Sequence, residues 1–170
     1  VTYMYEIHVM VNYDWIKVPM IKKADAISVN WDNTILTYND NFKSYDYAYS
    51  DLQGKWITYK TWNAPEALNQ GGLGIYTYID YTYRLPSGEM NGAGGLKGTV
   101  TFSLTPEPRF SMSIAPGNNS TTINCKYVHD KNPLLGSLSF SYEGFSVSID
   151  TGELQDSIAD AARIDYTRIA

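Results

Sequence analysis

The chain has 170 residues, of which 18% are charged and 14% aromatic, and its formal net charge is -5. This length predicts one β-rich domain, residues 1–170, and the acidic balance excludes the positive field that nucleic-acid binding needs. The 15 tyrosines and 4 tryptophans favour sheet, because aromatic side chains suit a pleated, half-buried surface. No run of about 18 apolar residues is present, so the sequence predicts no membrane-spanning helix.

Residues 1–13 alternate with a period of two, and valine, tyrosine or isoleucine occupies every odd position. This period predicts a long β-strand at the start of the chain. Such a strand either pairs within its own sheet or completes the sheet of a neighbouring copy. We favour pairing within the chain.

Short strands are predicted at residues 26–29 and 34–38, with turn-forming clusters between and after them. The clusters carry oxygen-bearing side chains of the kind that Ca²⁺ prefers, although their spacing is not that of an EF-hand. Solvated turns explain these clusters better, so we predict no metal and no cofactor. The calcium ligands under the alternative are Asp32, Asp40, Asp46 and Asp51.

The stretch from residue 71 to residue 104 predicts two long strands joined by a glycine-rich turn. In the first strand, Ile75 and Thr77 belong to the face that packs into the core. In the second strand, Leu96, Val100 and Phe102 share the core face. The other face of the first strand carries Tyr76, Tyr78, Asp80 and Arg84.

Strands also dominate the second half of the chain. A second hairpin is predicted to turn at Glu143 and Gly144, because apolar residues alternate with serines on both sides of this turn. Cys125, the only cysteine, shares a strand face with Ile123 and Tyr127, which indicates an unreactive buried thiol and excludes an internal disulfide framework. The predicted strands are residues 54–62, 109–114, 121–128, 137–142 and 145–149. In the first of these, the period of two places Trp56, Thr58, Lys60 and Trp62 on one face.

Only the last segment has helical spacing. Asp150 can cap a helix, Glu153 follows three residues later, and Leu154, Ile158, Ala161 and Ala162 recur at helical spacing. Together the patterns predict an all-β fold of about nine to eleven antiparallel strands with one C-terminal α-helix. The expected arrangement is a two-sheet sandwich or jelly roll, and a closed β-barrel is the alternative.

Residues with catalytic potential are few and scattered. The two histidines, His8 and His129, are far apart in the sequence, and no Gly-x-Ser-x-Gly motif accompanies them. Most glutamates lie beside proline or glycine in predicted turns, where side chains are solvated, so a pair of catalytic carboxylates is not indicated. The sequence therefore favours a protein that is not an enzyme.

Aromatic side chains are the strongest candidates for binding another molecule. Flat rings stack on sugars, and they are enriched at subunit interfaces because they bury much area at low entropy cost. Asn118 and Asn119 lie in two overlapping glycosylation acceptor patterns, which matter only in an exported protein. The candidate binding residues are Trp15, Trp31, Trp56, Trp62, Tyr45, Tyr47, Tyr49, Tyr76, Tyr78, Asp80 and Arg84.

Three functions fit this pattern. The favoured one is a non-enzymatic structural subunit that self-assembles through sheet edges and Tyr/Ser-rich faces, which implies a homo-oligomer. Such a subunit would belong to a filament or pilus on a cell surface, or to the tail or capsid of a virion, and so would be extracellular, on the cell surface or in the virion. The alternative is a carbohydrate-binding module or lectin-like domain with a glycan partner, and a small-ligand barrel is a third.

Overall fold

The structure is a computed structural model, and it describes residues 5–16, 24–78, 82–84, 87, 90–92, 94–112, 119–131, 138–151 and 155–168. In these residues the chain forms fifteen β-strands and no helix. The strands form antiparallel sheets consistent with a β-sandwich, so the predicted all-β antiparallel fold is confirmed. No described segment is a helix of the length and apolar character that a membrane span requires.

More strands are present than the sequence predicted, because strands of three residues carry too little alternation to be recognised. In chain order they are β1 (Ile7–Trp15), β2 (Ala24–Asn30), β3 (Leu36–Tyr38), β4 (Lys43–Ser50), β5 (Lys55–Trp62), β6 (Ala67–Asn69), β7 (Gly72–Tyr78), β8 (Thr82–Arg84), β9 (Met90–Gly92), β10 (Gly95–Pro106), β11 (Phe110–Met112), β12 (Asn119–Asp130), β13 (Ser139–Glu143), β14 (Ser146–Asp150) and β15 (Gln155–Arg168).

Two large sheets enclose the main core. The first sheet has the strand order β1-β10-β4-β5, and β3 also pairs with β10. The second sheet has the order β11-β15-β12-β2-β7-β6. Ile27 and Leu73 of the second sheet form one buried cluster with Val100 and Phe102 of the first. Apolar burial between the two sheets therefore holds them together.

The predicted second hairpin is confirmed as β13 and β14, and it covers the outer face of the second sheet. Phe140 packs against Tyr76 with ring centroids 4.9 Å apart, and Ile149 packs against Ala26. This close approach requires glycine in β7, since a Cβ on Gly74 would lie 2.5 Å from the Phe140 ring. Gly74 thus makes room for the β13–β14 hairpin, which forms a further layer on the second sheet.

The prediction that the 71–104 stretch folds as one hairpin is wrong. β7 pairs with β2 and β6 in the second sheet, whereas β10 pairs with β1, β3 and β4 in the first. The core faces of the two strands were predicted correctly, because Ile75 and Val100 are both buried. They meet across the core instead of side by side, since β8 and β9 lie between them in the chain and form a small pair of their own.

The predicted C-terminal helix is also wrong. Residues 155–168 form β15, which pairs with twelve residues of β12. The spacing of Ile158, Ala161 and Ala162 is compatible with a helix locally, but β12 offers a continuous ladder of backbone hydrogen bonds. Tertiary pairing therefore overrides the local preference.

The N-terminal strand pairs within its own chain, as favoured from the sequence. β1 forms nine residue pairs with β10, from Ile7 opposite Leu104 to Trp15 opposite Leu96. Its odd positions are half-buried and its even positions are exposed. Residues 1–4 of the predicted strand lie outside the described residues.

A β-bulge in β5 separates two tryptophans that were predicted to share a face. The register with β4 shifts between Asp46 and Tyr47, and Tyr59 is the extra residue. Trp56 is 40% exposed, whereas Trp62 packs against the main core. An extra residue reverses the alternation beyond it, so the strict period of two places Trp62 on the wrong face.

Candidate functional site

A groove with a volume of about 610 Å³ opens between β1, at the edge of the first sheet, and β15 of the second. Val29, Ile123 and Cys125 line its floor, and Val9 and Val11 form the wall on the side of β1. Its volume lies within the range of about 300 to 1,000 Å³ that is usual for binding pockets. The groove is therefore a concave, largely apolar feature of the size that a bound group needs.

β15 is unusually exposed for a strand of this length. Eight consecutive residues, 156–163, are exposed, although alternate positions point toward the groove. Ile158 lies opposite Tyr127 on the inward side and is still 74% exposed. A strand that buries neither face gains little from the hydrophobic effect, so this part of β15 is held mainly by its pairing with β12.

The two strands that border the groove also have free backbone edges. Within the described residues, β1 pairs only with β10. β15 pairs with β12 on one side, and on the other side only its residues 166–168 pair, with β11. No other described strand pairs with the N–H and C=O groups along these rims, and unpaired groups of this kind can accept a further strand.

A buried hydrogen-bond network closes one end of the groove. The Nε1–H of Trp15 donates to the Tyr127 hydroxyl at 3.1 Å, and that hydroxyl donates to the carboxylate of Asp25. Nδ1 of His129 lies 2.8 Å from Oδ1 of Asp25. Burial raises the pKa of Asp25, while the hydrogen bonds from Tyr127 and His129 act in the opposite direction. Trp15 belongs to β1 of the first sheet, whereas Asp25, Tyr127 and His129 belong to the second sheet. The network therefore joins the two sheets.

The network does not assemble a nucleophilic centre. Cys125 lies on the same face of β12 as His129 but four positions away, a distance of about 13 Å along a strand. Burial, and secondarily the charge of Asp160, raises the pKa of the Cys125 thiol to about 11. The thiol is therefore protonated near neutral pH, and the predicted unreactive cysteine agrees with this environment.

Three carboxylates, those of Asp14, Asp156 and Asp160, lie along the groove. Nζ of Lys131 is 2.7 Å from Oδ2 of Asp156. No ion pair with a described residue neutralises Asp14 or Asp160. The β15 side of the groove is therefore acidic, whereas Asp14 is an outward position of β1 that lies opposite Lys97.

The four predicted tryptophans have different environments. Trp15 lines the groove. Trp31 is 5% exposed and packs in the core against Phe102, so its ring is not accessible to a ligand. Trp62 is half-buried against the main core, and Trp56 is the exposed one.

The predicted tyrosines of β4 form a row on the outer face of the first sheet. Tyr45 and Tyr47 stack with ring centroids 6.3 Å apart, and Tyr49 meets Trp56 edge to face at 5.7 Å. Nζ of Lys97 lies 4.1 Å from the centroid of Trp56. The rings contact one another and a lysine, so sugar stacking would have to compete with these contacts.

The remaining predicted site residues do not meet at one place. Tyr76 lies beneath the β13–β14 hairpin and donates to the carbonyl of Leu138 at 3.1 Å. Asn119 is exposed at the start of β12. Asp80, Asn118 and the side chains of Tyr78 and Arg84 lie outside what the structure describes.

The aspartates considered as calcium ligands do not come together. Asp46 is buried in β4 and accepts a hydrogen bond from Tyr13, so it is not a turn residue as predicted. No three His, Cys, Asp or Glu side chains in the described ranges are grouped as a metal would require.

Sequence reasoning missed a polar cluster on the outer face of the first sheet. The Ser103 hydroxyl donates to Glu6 and accepts hydrogen bonds from Asn39 and Asn41 at 2.8 and 2.7 Å. Nε2 of His8 lies 3.6 Å from Oε2 of Glu6. The Ser103 hydroxyl donates its hydrogen bond to Glu6 and not to His8. This cluster therefore lacks the serine–histidine hydrogen bond that activates a nucleophile.

Comparison with protein-family models, with curated proteins and with solved structures finds no match for this chain.

Proposed function

We propose that the chain is a non-enzymatic structural subunit that assembles with copies of itself through the groove between β1 and β15. The observation that carries this proposal is the exposure of β15. Residues 156–163 are exposed on both faces and lie beside a free backbone edge. A strand added at this edge would extend the sheet and place its side chains beside those of β15.

An exposed apolar side chain at the groove supports the same proposal. Ile158 is 74% exposed and lies on the inward side of β15, opposite Tyr127. Burying one isoleucine side chain contributes about 1.5 to 3 kcal/mol. Covering this region by a neighbouring subunit is therefore favourable. A location on a cell surface or in a virion stays a prediction.

Carbohydrate binding stays the alternative prediction. It depends on the outer face of the first sheet, where Trp56 is 40% exposed. The contacts among Tyr49, Trp56 and Lys97 give this face less free ring surface than the sequence suggested.

A charge placed on β15 tests the proposal. We expect the unchanged chain to form dimers or larger assemblies as its concentration rises, and Ile158→Glu to weaken self-association at least about tenfold by removing apolar contact. Native mass spectrometry and light scattering over a concentration series measure this.

Leu68→Glu provides the matched control, because Leu68 is 42% exposed on β6, at the opposite end of the same sheet. Thermal midpoints show that both variants remain folded. A chain that is monomeric at every concentration, or an Ile158→Glu variant that assembles normally, would refute the proposal.

A further inference from the structure

The hydrogen bonds of β10 show which backbone groups of β1 point to its free edge. The N–H of Ser103 donates to Oδ1 of Asn41 at 2.8 Å, and its carbonyl accepts from the N–H of Asn39 at 3.1 Å, on the side of β10 away from β1. Ser103 lies opposite His8, and bonded and non-bonded pairs alternate along an antiparallel ladder. The odd residues of β1 therefore bond to β10. The residues whose N–H and C=O groups point to the free edge are His8, Met10, Asn12 and Asp14.

The edge of β1 is less obstructed than that of β15. Among the described strands, only β10 pairs with β1. On the free side of β15, β11 occupies residues 166–168, and the carboxylate of Asp160 accepts a hydrogen bond from the N–H of Ala161 at 2.8 Å. Of the two strands that border the groove, β1 is therefore the better site for strand addition.

β1 is complementary to a second copy of itself that runs antiparallel with the two Val11 residues opposite each other. This register pairs all nine residues of the strand. On the inward side, Ile7 lies opposite Trp15 of the second copy, and Val9 lies opposite its Tyr13. Every inward pair thus joins aliphatic or aromatic side chains, which are half-buried in one copy and gain contact in two.

The outward side of this register is complementary in charge and hydrogen bonding. His8 lies opposite Asp14 of the second copy, so an imidazole N–H can donate to a carboxylate that forms no ion pair with a described residue. Met10 lies opposite Asn12. Moving the axis by one residue toward the N-terminus would place Glu6 opposite Asp14, and two like charges in direct opposition are unfavourable. Moving it the other way would leave the first two residues of β1 unpaired.

We propose that two copies of the chain pair antiparallel through β1, about a two-fold axis at Val11, so that their first sheets form one continuous sheet. This inference names the contact of the self-assembly proposed above and rests on that proposal. The axis keeps the inward faces of the two strands on the same side. The two grooves therefore lie side by side beneath the joined strands, and Ile158 of each copy lies at their common opening.

Disulfide formation between copies tests the position of the axis. In a Cys125→Ser background, Val11→Cys places two thiols in a pair without backbone bonds, whose Cα atoms lie about 4.5 Å apart, within disulfide reach. Val9→Cys is the matched control, because Val9 has the same half-buried face but its two copies lie about 14 Å apart along the joined strands. We expect Val11→Cys to form dimers at least about tenfold faster.

Two exposed positions provide a second pair of variants, in case Val11→Cys does not fold. Met10→Cys and Asn12→Cys chains, in the same background, lie opposite each other in the proposed register. Like positions lie about 8 Å apart, beyond disulfide reach. Mixed chains should therefore crosslink faster than either chain alone, and thermal midpoints show which variants are folded.

Light scattering measures self-association of the Cys125→Ser chain in the same concentration range, so that the two proposals fail separately. A chain that assembles, but whose folded variants show no preference for Val11→Cys or for the mixture, overturns pairing through β1 and leaves self-assembly intact. A chain that is monomeric at every concentration overturns both proposals.

Discussion

Asp25 is fully buried, and its carboxyl group is hydrogen-bonded to Tyr127 and His129. Burial is the largest influence on it and raises its pKa above the ordinary value of 3.8. Tyr127 and His129 hold its oxygens, Trp15 packs against both of these side chains, and the backbone N–H of Asp130 also donates to it. The residue therefore carries a desolvation cost that its partners offset only in part.

This raised pKa makes stability depend on pH. Between pH 3.8 and the raised value, the folded chain keeps a proton that the unfolded chain has lost, so the contribution of Asp25 to the free energy of unfolding falls as the pH rises. We expect Asp25→Asn to remove this fall, because the amide does not titrate. Urea unfolding from about pH 4 to pH 7 measures it.

The comparison for this prediction is the unchanged chain under identical conditions, so that all other titrating groups cancel. Near pH 4 the free energies of unfolding of the unchanged chain and of Asp25→Asn should differ least. Toward neutral pH the free energy of unfolding of the variant should rise relative to that of the unchanged chain. Parallel stability curves across the range would show that Asp25 does not titrate as described.

Individual residues of the site were only partly predictable. Cys125 and Tyr127 were assigned to the core face correctly, because alternation along β12 is regular. The contact between Asp25 and His129 joins residues 104 positions apart, and no local pattern signals such a pair. Trp31 was proposed as a binding residue but is buried, since an aromatic residue in a turn-forming cluster looks the same whether it points inward or outward.

At the scale of single elements, the β13–β14 hairpin depends on the glycines of β7. Gly74→Ala would place a Cβ 2.5 Å from Phe140, and this aromatic ring covers the outer face of the second sheet. We expect the substitution to lower the free energy of unfolding by about 1 to 3 kcal/mol, which is usual for overpacking. Chemical denaturation measures the loss.

Phe140→Ala supplies the second arm of a double-mutant cycle. With the ring removed, the added methyl group of Gly74→Ala has space, so its cost should shrink clearly in that background. An equal cost with and without the ring would mean that the glycine serves the backbone of β7 and not the packing of the hairpin.

Strands were easier to predict than their partners. β1, β5, β10 and β12 follow from a period of two, but pairing is decided by contacts distant in sequence, which is why β7 and β10 were wrongly joined. β15 was mistaken for a helix because its apolar residues are few and spaced three and four apart. The bulge at Tyr59 left no sequence signal, and it reversed the predicted face of Trp62.

For the whole molecule, the groove arises from strands at opposite ends of the chain. β1 begins at Ile7 and β15 ends at Arg168, so only the folded arrangement brings their edges together. The sequence predicted assembly through sheet edges in general terms. It named the N-terminal strand as a candidate edge but not β15, because the C-terminal segment was assigned to a helix.

Backbone amide exchange across a concentration series tests the central proposal most directly, because pairing at a free edge protects amides that are otherwise open to water. We predict that the amides of β1 and of residues 155–165 that point away from β10 and β12 exchange fast in dilute solution and slow down as the chain is concentrated, while those of β6, at the other end of the second sheet, stay unchanged. Exchange rates in β1 and β15 that do not depend on concentration, in a chain that otherwise remains folded, would contradict assembly through this groove.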